Sequence, residues 1–150
     1  MGIAIRCAML TDAEPLARLM TELGYPTSTR QMEHRLTSIL GDASYRTFVA
    51  CDGDAVVGVL GTRVGPMYEI DDPYGQIMAM VVAATHRRRG VGVLLINAAE
   101  SHFRSHGAAV SIVTSHNRRA DAHAFYQTHG YTFDGRRYKK ALAPTPPKAI

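Results

Sequence analysis

Apolar and polar residues alternate from Ile3 to Met9, a period of two that predicts a strand. From Thr11 the period lengthens. Leu16, Leu19, Met20 and Leu23 recur at spacings of three and four, the stripe of an amphipathic helix. Thr11 with Glu14 three residues on reads as a capping box that starts this helix, and Gly24 and Pro26 end it. Met32, Leu36, Ile39 and Leu40 form a second stripe, which predicts a helix from about Ser28 to Leu40, stopped at Gly41.

Strand signals follow. Thr47 to Cys51 and Ala55 to Val64 flank Asp52-Gly53-Asp54, a hairpin turn. Gly65-Pro66 breaks the pattern, and the acidic stretch Met67 to Tyr74 reads as a loop. Gln76 to Ala83 is almost wholly apolar, as expected of a central strand buried on both faces. A basic, glycine-containing loop, Thr85 to Gly92, then leads into a helix. Its expected inner face is Val91, Leu94, Leu95, Ala98, Ala99, His102 and Phe103, and Gly107 closes it. Ala109 to Thr114 predicts a strand, and Ala120 to His129 a short helix stopped by Gly130. Tyr131 to Phe133 and Tyr138 to Leu142 predict a last hairpin. The order βααβββαβαββ predicts a single α/β domain, residues 1–143: one mixed sheet with helices on both faces, followed by a proline-rich tail at 144–150.

Composition narrows the picture only modestly. A chain of 150 residues suffices for one domain with a hydrophobic core. No run of about 18 apolar residues predicts a spanning helix, and Met1 to Arg6 lack the features of a signal peptide. A cytoplasmic protein without membrane contact is the expectation. The two cysteines, Cys7 and Cys51, are too few for a disulfide scaffold and are expected to be buried thiols. A net charge of +4 suits an anionic ligand. His102 and His106 stand four apart on a helix, but no third ligand accompanies them, and no metal is expected.

Chemistry concentrates where the apolar strand ends. Met80-Val81-Val82 is followed, after four residues, by Arg87-Arg88-Arg89-Gly90-Val91-Gly92 at the start of a helix. The first turn of a helix carries unpaired N–H groups and a partial positive charge. Gly90 and Gly92 lack Cβ atoms, so a phosphate can approach that backbone. No Gly-Lys-Ser/Thr follows, and Leu95 stands where a dinucleotide fingerprint needs its third glycine. The six residues alone fit either an anion-binding loop or a basic turn that caps a helix.

A second segment favours the anion-binding loop. Asn117 to Tyr126, with Gly130-Tyr131 after it, lies beyond the next strand. Together the two segments resemble the GNAT superfamily of N-acetyltransferases. Arg87-Arg88-Arg89-Gly90-Val91-Gly92 is similar to that family's Gln/Arg-x-x-Gly-x-Gly/Ala signature, and Phe125-Tyr126 with Gly130-Tyr131 to its aromatic ending. The element order agrees over residues 3–142. Asp121-Ala122-His123 before Phe125-Tyr126 resembles small-amine acetyltransferases, the aminoalkylphosphonate and some aminoglycoside enzymes among them.

The resemblance implies a GNAT-like fold with a splayed strand pair and acetyl-coenzyme A as co-substrate. It implies that the backbone of Met80, Val81 and Val82 pairs with the pantetheine arm. The amides of Arg88, Arg89, Gly90, Val91 and Gly92 would cradle the pyrophosphate, Arg87 or Arg88 would add charge, and Asn117 and Tyr126 would also contact the cofactor. A homodimer is expected by the same analogy.

Acyl transfer from a thioester requires a deprotonated amine, a donor for the oxyanion and an acid for the departing thiolate. The Val82 N–H is the candidate oxyanion donor and Tyr126 the candidate acid. A phenol of pKa about 10 protonates a thiolate of pKa about 8.5 only slightly uphill. The family's strand glutamate has no counterpart here, since Gln76, Met78, Ala79 and Met80 do not titrate. Glu69, Asp71 and Asp72 are the candidate acceptor-binding residues. They fit either a base acting directly or through water, or a holder of a cationic amine. His86 and His123 have a suitable intrinsic pKa but read first as structural or surface residues. The expected activity is therefore N-acetylation of a primary amine on a small molecule or a protein. An acyl-coenzyme A sensor without turnover is one alternative. Another is a nucleic-acid-binding module using Arg87, Arg88, Arg89, Arg118 and Arg119, disfavoured because no basic recognition helix is present.

Overall fold

The computed structural model describes residues 2–114, 120–135 and 137–143, with the backbone alone at 120 and 121. The chain divides into two compact units, 1–112 and 113–148.

The first unit opens with β1 (Ile3–Cys7), a short 3-10 turn (Leu10–Asp12), α1 (Ala13–Leu23) and α2 (Thr29–Leu40). The expected Thr11–Glu14 capping box is absent. Asp12 performs the capping: its carboxylate accepts from the Met9 N–H at 2.8 Å and takes the Arg6 guanidinium in a two-point grip at 2.8 and 2.9 Å. Glu14 instead pairs with Arg18 at 2.7 Å. The Arg6 hydrogen bonds hold the Asp12 carboxyl below its usual range despite partial desolvation. α2 starts as a capping box, with the Ser28 N–H bonded to the Gln31 side chain and the Gln31 N–H to the Ser28 hydroxyl. Met32 and Leu36 are buried as expected, whereas Leu40, in the last turn, is exposed.

Strands β2 (Tyr45–Asp52), β3 (Ala55–Gly65), β4 (Tyr74–Val82) and β5 (Val110–Val113) extend the sheet in the order β1-β2-β3-β4-β5. The first three pairings are antiparallel. Ala109, just before β5, donates to the Pro73 carbonyl, just before β4, at 2.9 Å, so β4 and β5 run parallel from a common start. The sheet is mixed, as expected. Two residues, Gly53 and Asp54, turn the β2–β3 hairpin, with Gly53 at φ 60°.

Helix α3 (Val91–Ser105) covers one face of the sheet; α1 and α2 cover the other. Leu16, Leu19, Met32 and Leu36 share a buried cluster with Val59 and Val81. Neighbouring residues of a strand point to opposite faces. Gly58 accordingly faces α3, where an added Cβ would lie 3.2 Å from Leu95 and 3.3 Å from Val91. At Gly75 a Cβ would fall 2.2 Å from the Phe103 ring. These two strand glycines let α3 lie close on the sheet. Its buried face is Val91, Leu95, Ile96, Ala99 and Phe103, so Ile96 takes the place expected of Leu94, which is exposed.

Strand β4 departs from a two-sided core strand. Its pairing with β3 shifts register between Gly61 and Thr62, which leaves Met78 as an extra residue, 46% exposed. Of the cysteines, Cys51 is buried but Cys7 is exposed, contrary to expectation.

The second unit contains α4 (Ala120–Thr128), which ends where Gly130 adopts φ 88° and Tyr131 donates its N–H to the Tyr126 carbonyl at 3.0 Å. The expected final hairpin is not formed: residues 131–135 and 137–143 contain no strand. Phe133, Tyr138 and Leu142 are 74–90% exposed, so this segment lacks the buried face that stabilises a hairpin. The tail at 144–150 lies outside the described residues.

Candidate active site

The site is built at the end of β4. Ala83 donates to the Val57 carbonyl at 2.8 Å, directly opposite in the β3–β4 register. In an antiparallel ladder, hydrogen-bonded and non-bonded pairs alternate. Ala83–Val57 and Val81–Val59 are therefore bonded pairs, and Val82–Gly58 and Met80–Leu60 are not. Met80 and Val82 thus turn their N–H and C=O groups to the side away from β3. Val81 spends its own on Val59, which removes it from the three peptides expected to face a ligand.

Beyond Val82 the chain makes a 3-10 turn, Ala84–His86, and enters the arginine loop. Arg88 lies at φ 62°, a left-handed conformation costly for a residue with a Cβ, and Gly90 lies at φ 82° as the N-cap of α3. The Gly90 carbonyl accepts the Leu94 N–H at 3.2 Å, the first bond of the helix. The amides of Val91 and Gly92 lie in the first turn, where no intrahelical carbonyl reaches them. Val91's side chain is buried, whereas Arg88, Arg89 and Gly90 are exposed. The loop therefore presents backbone and cationic side chains together at the positive end of α3.

Arg87 has a different task from its neighbours. Its Nε donates to the Val82 carbonyl at 3.0 Å, and its guanidinium lies 3.9 Å from Glu22 of α1. Glu22 also accepts the Ala84 N–H at 3.0 Å. His86 Nε2 meets Asp52 at 2.9 Å, while its Nδ1 lies 2.8 Å from the Thr85 hydroxyl. Sequence reasoning missed Glu22 and Asp52. Nothing in their local pattern marks them, apart from Asp52 ending a strand at a hairpin.

The acidic residues sit elsewhere. Glu69, Asp71 and Asp72 are exposed in the loop before Tyr74, at the other end of β4. Nine residues of strand separate Tyr74, where that loop ends, from Val82, a span of about 26 Å. Tyr126 is 9% exposed, with ring centroids 5.5 Å from Phe125 and 5.9 Å from Tyr131. Asn117, Arg118 and Arg119 lie outside the described residues. His102 and His106 place their rings 4.4 Å apart, and burial, followed by the charges of His106 and Arg46, lowers the His102 pKa. Among the described residues, no helix is long and apolar enough to cross a membrane, and no group of three metal-ligating side chains is present.

The chain belongs to the Acetyltransferase (GNAT) family, whose sequence profile matches residues 12–131. It is 35% identical over 68 residues to an aminoalkylphosphonate N-acetyltransferase of Salmonella typhimurium. That stretch is 45% of this chain and 44% of the relative, so the match spans less than half of that protein. Among solved structures, a GNAT family acetyltransferase of Staphylococcus aureus superposes with a TM-score of 0.82 at 25% identity, covering 95% of this chain and 100% of that one. A transcriptional regulator of Bacillus halodurans reaches a TM-score of 0.88 at 20% identity, with 94% and 100% covered, a likeness of fold alone.

Proposed function

We propose that this protein transfers an acetyl group from acetyl-coenzyme A directly to the primary amine of a small, cationic acceptor. The observation that carries the reading is the turn from β4 into α3. There, exposed Arg88 and Arg89 and the first-turn amides after Gly90 converge at a helix N-terminus, next to a strand whose Met80 and Val82 peptides face away from β3. A diphosphate fits the first feature and an amide-bearing arm the second.

In this reading the amides from Arg88 to Gly92 hold the diphosphate, the Met80 peptide pairs with the pantetheine arm, and the Val82 N–H receives the acetyl oxygen as it becomes the oxyanion. Arg87 occupies the Val82 carbonyl and steadies that peptide. Tyr126 supplies the proton to the departing thiolate. Asn117 contacts the cofactor by family resemblance. β4 carries no carboxylate or imidazole, and the loop carboxylates lie beyond hydrogen-bond reach of Val82, so the amine loses its proton through water. Glu69, Asp71 and Asp72 attract the cationic amine. The aminoalkylphosphonate enzyme among the relatives acts, by its name, on a small amine, one that also carries an anionic phosphonate. A cytoplasmic location and a homodimer belong to the same reading.

The test is release of free thiol from acetyl-coenzyme A across a panel of small amines. Release with a cationic amine supports the proposal. Coenzyme binding with no turnover on any amine favours an acyl-coenzyme A sensor instead. Tyr126→Phe should lower kcat about a hundredfold, and an unchanged kcat removes this tyrosine from the chemistry.

A further inference from the structure

The arginine loop repels itself. Arg87, Arg88 and Arg89 are consecutive, and Arg88 is held in a left-handed conformation. Such a loop needs bracing to stay in place before an anion arrives. Two carboxylates from distant parts of the chain reach it. Glu22 takes the Ala84 amide and faces Arg87. Asp52 takes His86 at 2.9 Å from the last position of β2, beside a two-residue turn. A hairpin closed by so short a turn is a firm anchor. The His86 side chain is only 16% exposed, so its bond to Asp52 is partly shielded from water. On the other ring nitrogen the Thr85 hydroxyl lies at 2.8 Å, so the imidazole is held from both sides. The charge of Arg89 also acts on Asp52, though less than the His86 hydrogen bond.

We propose that Asp52, acting through His86, is a positioning residue that holds the arginine loop in its anion-binding conformation. The proposal rests on the coenzyme reading above and adds to it a pair that touches no substrate atom. It has a consequence that charge alone reverses. Asp52 is an anion beside a site for an anion. On electrostatics alone, removing its charge should tighten coenzyme binding. If its role is positioning, removal should loosen the loop and weaken binding.

Calorimetric titration of the full chain with free coenzyme A separates the two. Asp52→Ala and His86→Ala should each weaken binding about five- to tenfold. His86→Gln, whose amide can still donate to Asp52, should bind nearly as the unmodified protein does. Melting curves without ligand identify any variant that fails to fold. If Asp52→Ala is such a variant, the contrast between His86→Ala and His86→Gln decides. Equal or tighter binding by Asp52→Ala, or equal binding by His86→Ala and His86→Gln, overturns the proposal. No binding by the unmodified protein overturns the coenzyme reading, and this proposal with it.

Discussion

The two ends of β4 are held by opposite means. At its start, Gly75 lies under the ring of Phe103 with no room for a methyl group, and the loop before it projects Tyr68, Glu69, Ile70, Asp71 and Asp72 into solvent. At its finish, Val82 passes into a cationic loop tied down by Arg87, Glu22, His86 and Asp52. One end is fixed by packing and leaves its charges unrestrained. The other is fixed by polar ties that set a backbone conformation. In the proposed reading, the polar ties form a prebuilt grip for the cofactor, whereas the open acidic loop attracts an amine without defining its shape.

The comparison can be broken most forcefully at Gly75. Gly75→Ala forces a Cβ into the Phe103 ring, and urea unfolding should show a loss on the order of 3 kcal/mol. A near-neutral result means that α3 does not press on the strand there. At the same end, neutralising Glu69, Asp71 and Asp72 together should raise KM for a cationic amine about two- to fivefold in all, with coenzyme affinity unchanged. A matching loss of coenzyme affinity would erase the distinction between the ends. At the finish, Arg88→Gly relieves the left-handed strain at φ 62°. Against the flexibility glycine adds to the unfolded chain, this should net about 0.5–1 kcal/mol, a rise of about 2 °C in Tm. The smallest effect concerns pH. Hydrogen bonding from His86 lowers the Asp52 pKa, so the folded chain binds this proton less readily than the unfolded chain. The contribution is complete above the ordinary carboxylate pKa of about 3.9 and disappears as pH falls through the lowered value. Asp52→Asn should therefore flatten the acid limb of the melting profile. An identical limb in both proteins would contradict the pairing.

Periodicity carries the element order as far as α4, because each helix stripe and strand alternation is local. Gly90 likewise marks the start of α3 by its type and place. The misses share a physical cause. Asp12 wins the cap from Thr11 because Arg6, on another element, grips it. Ile96 replaces Leu94 on the inner face because α3 is aimed by contacts at Gly58 and Gly75, which no stripe within the helix encodes. The bulge at Met78 depends on pairing with β3, and Asp52 and Glu22 meet the loop only once the chain has folded. The absence of strand at 131–135 and 137–143 shows the converse: apolar residues do not form a ladder where the side chains find no cover.

In the proposed reading, main-chain amides opening α3 hold the diphosphate. Nitrogen-labelled protein titrated with coenzyme A puts this to the test. The amide signals of Gly90, Val91 and Gly92 should move first and farthest. Saturable binding that leaves those three signals in place rules the grip out.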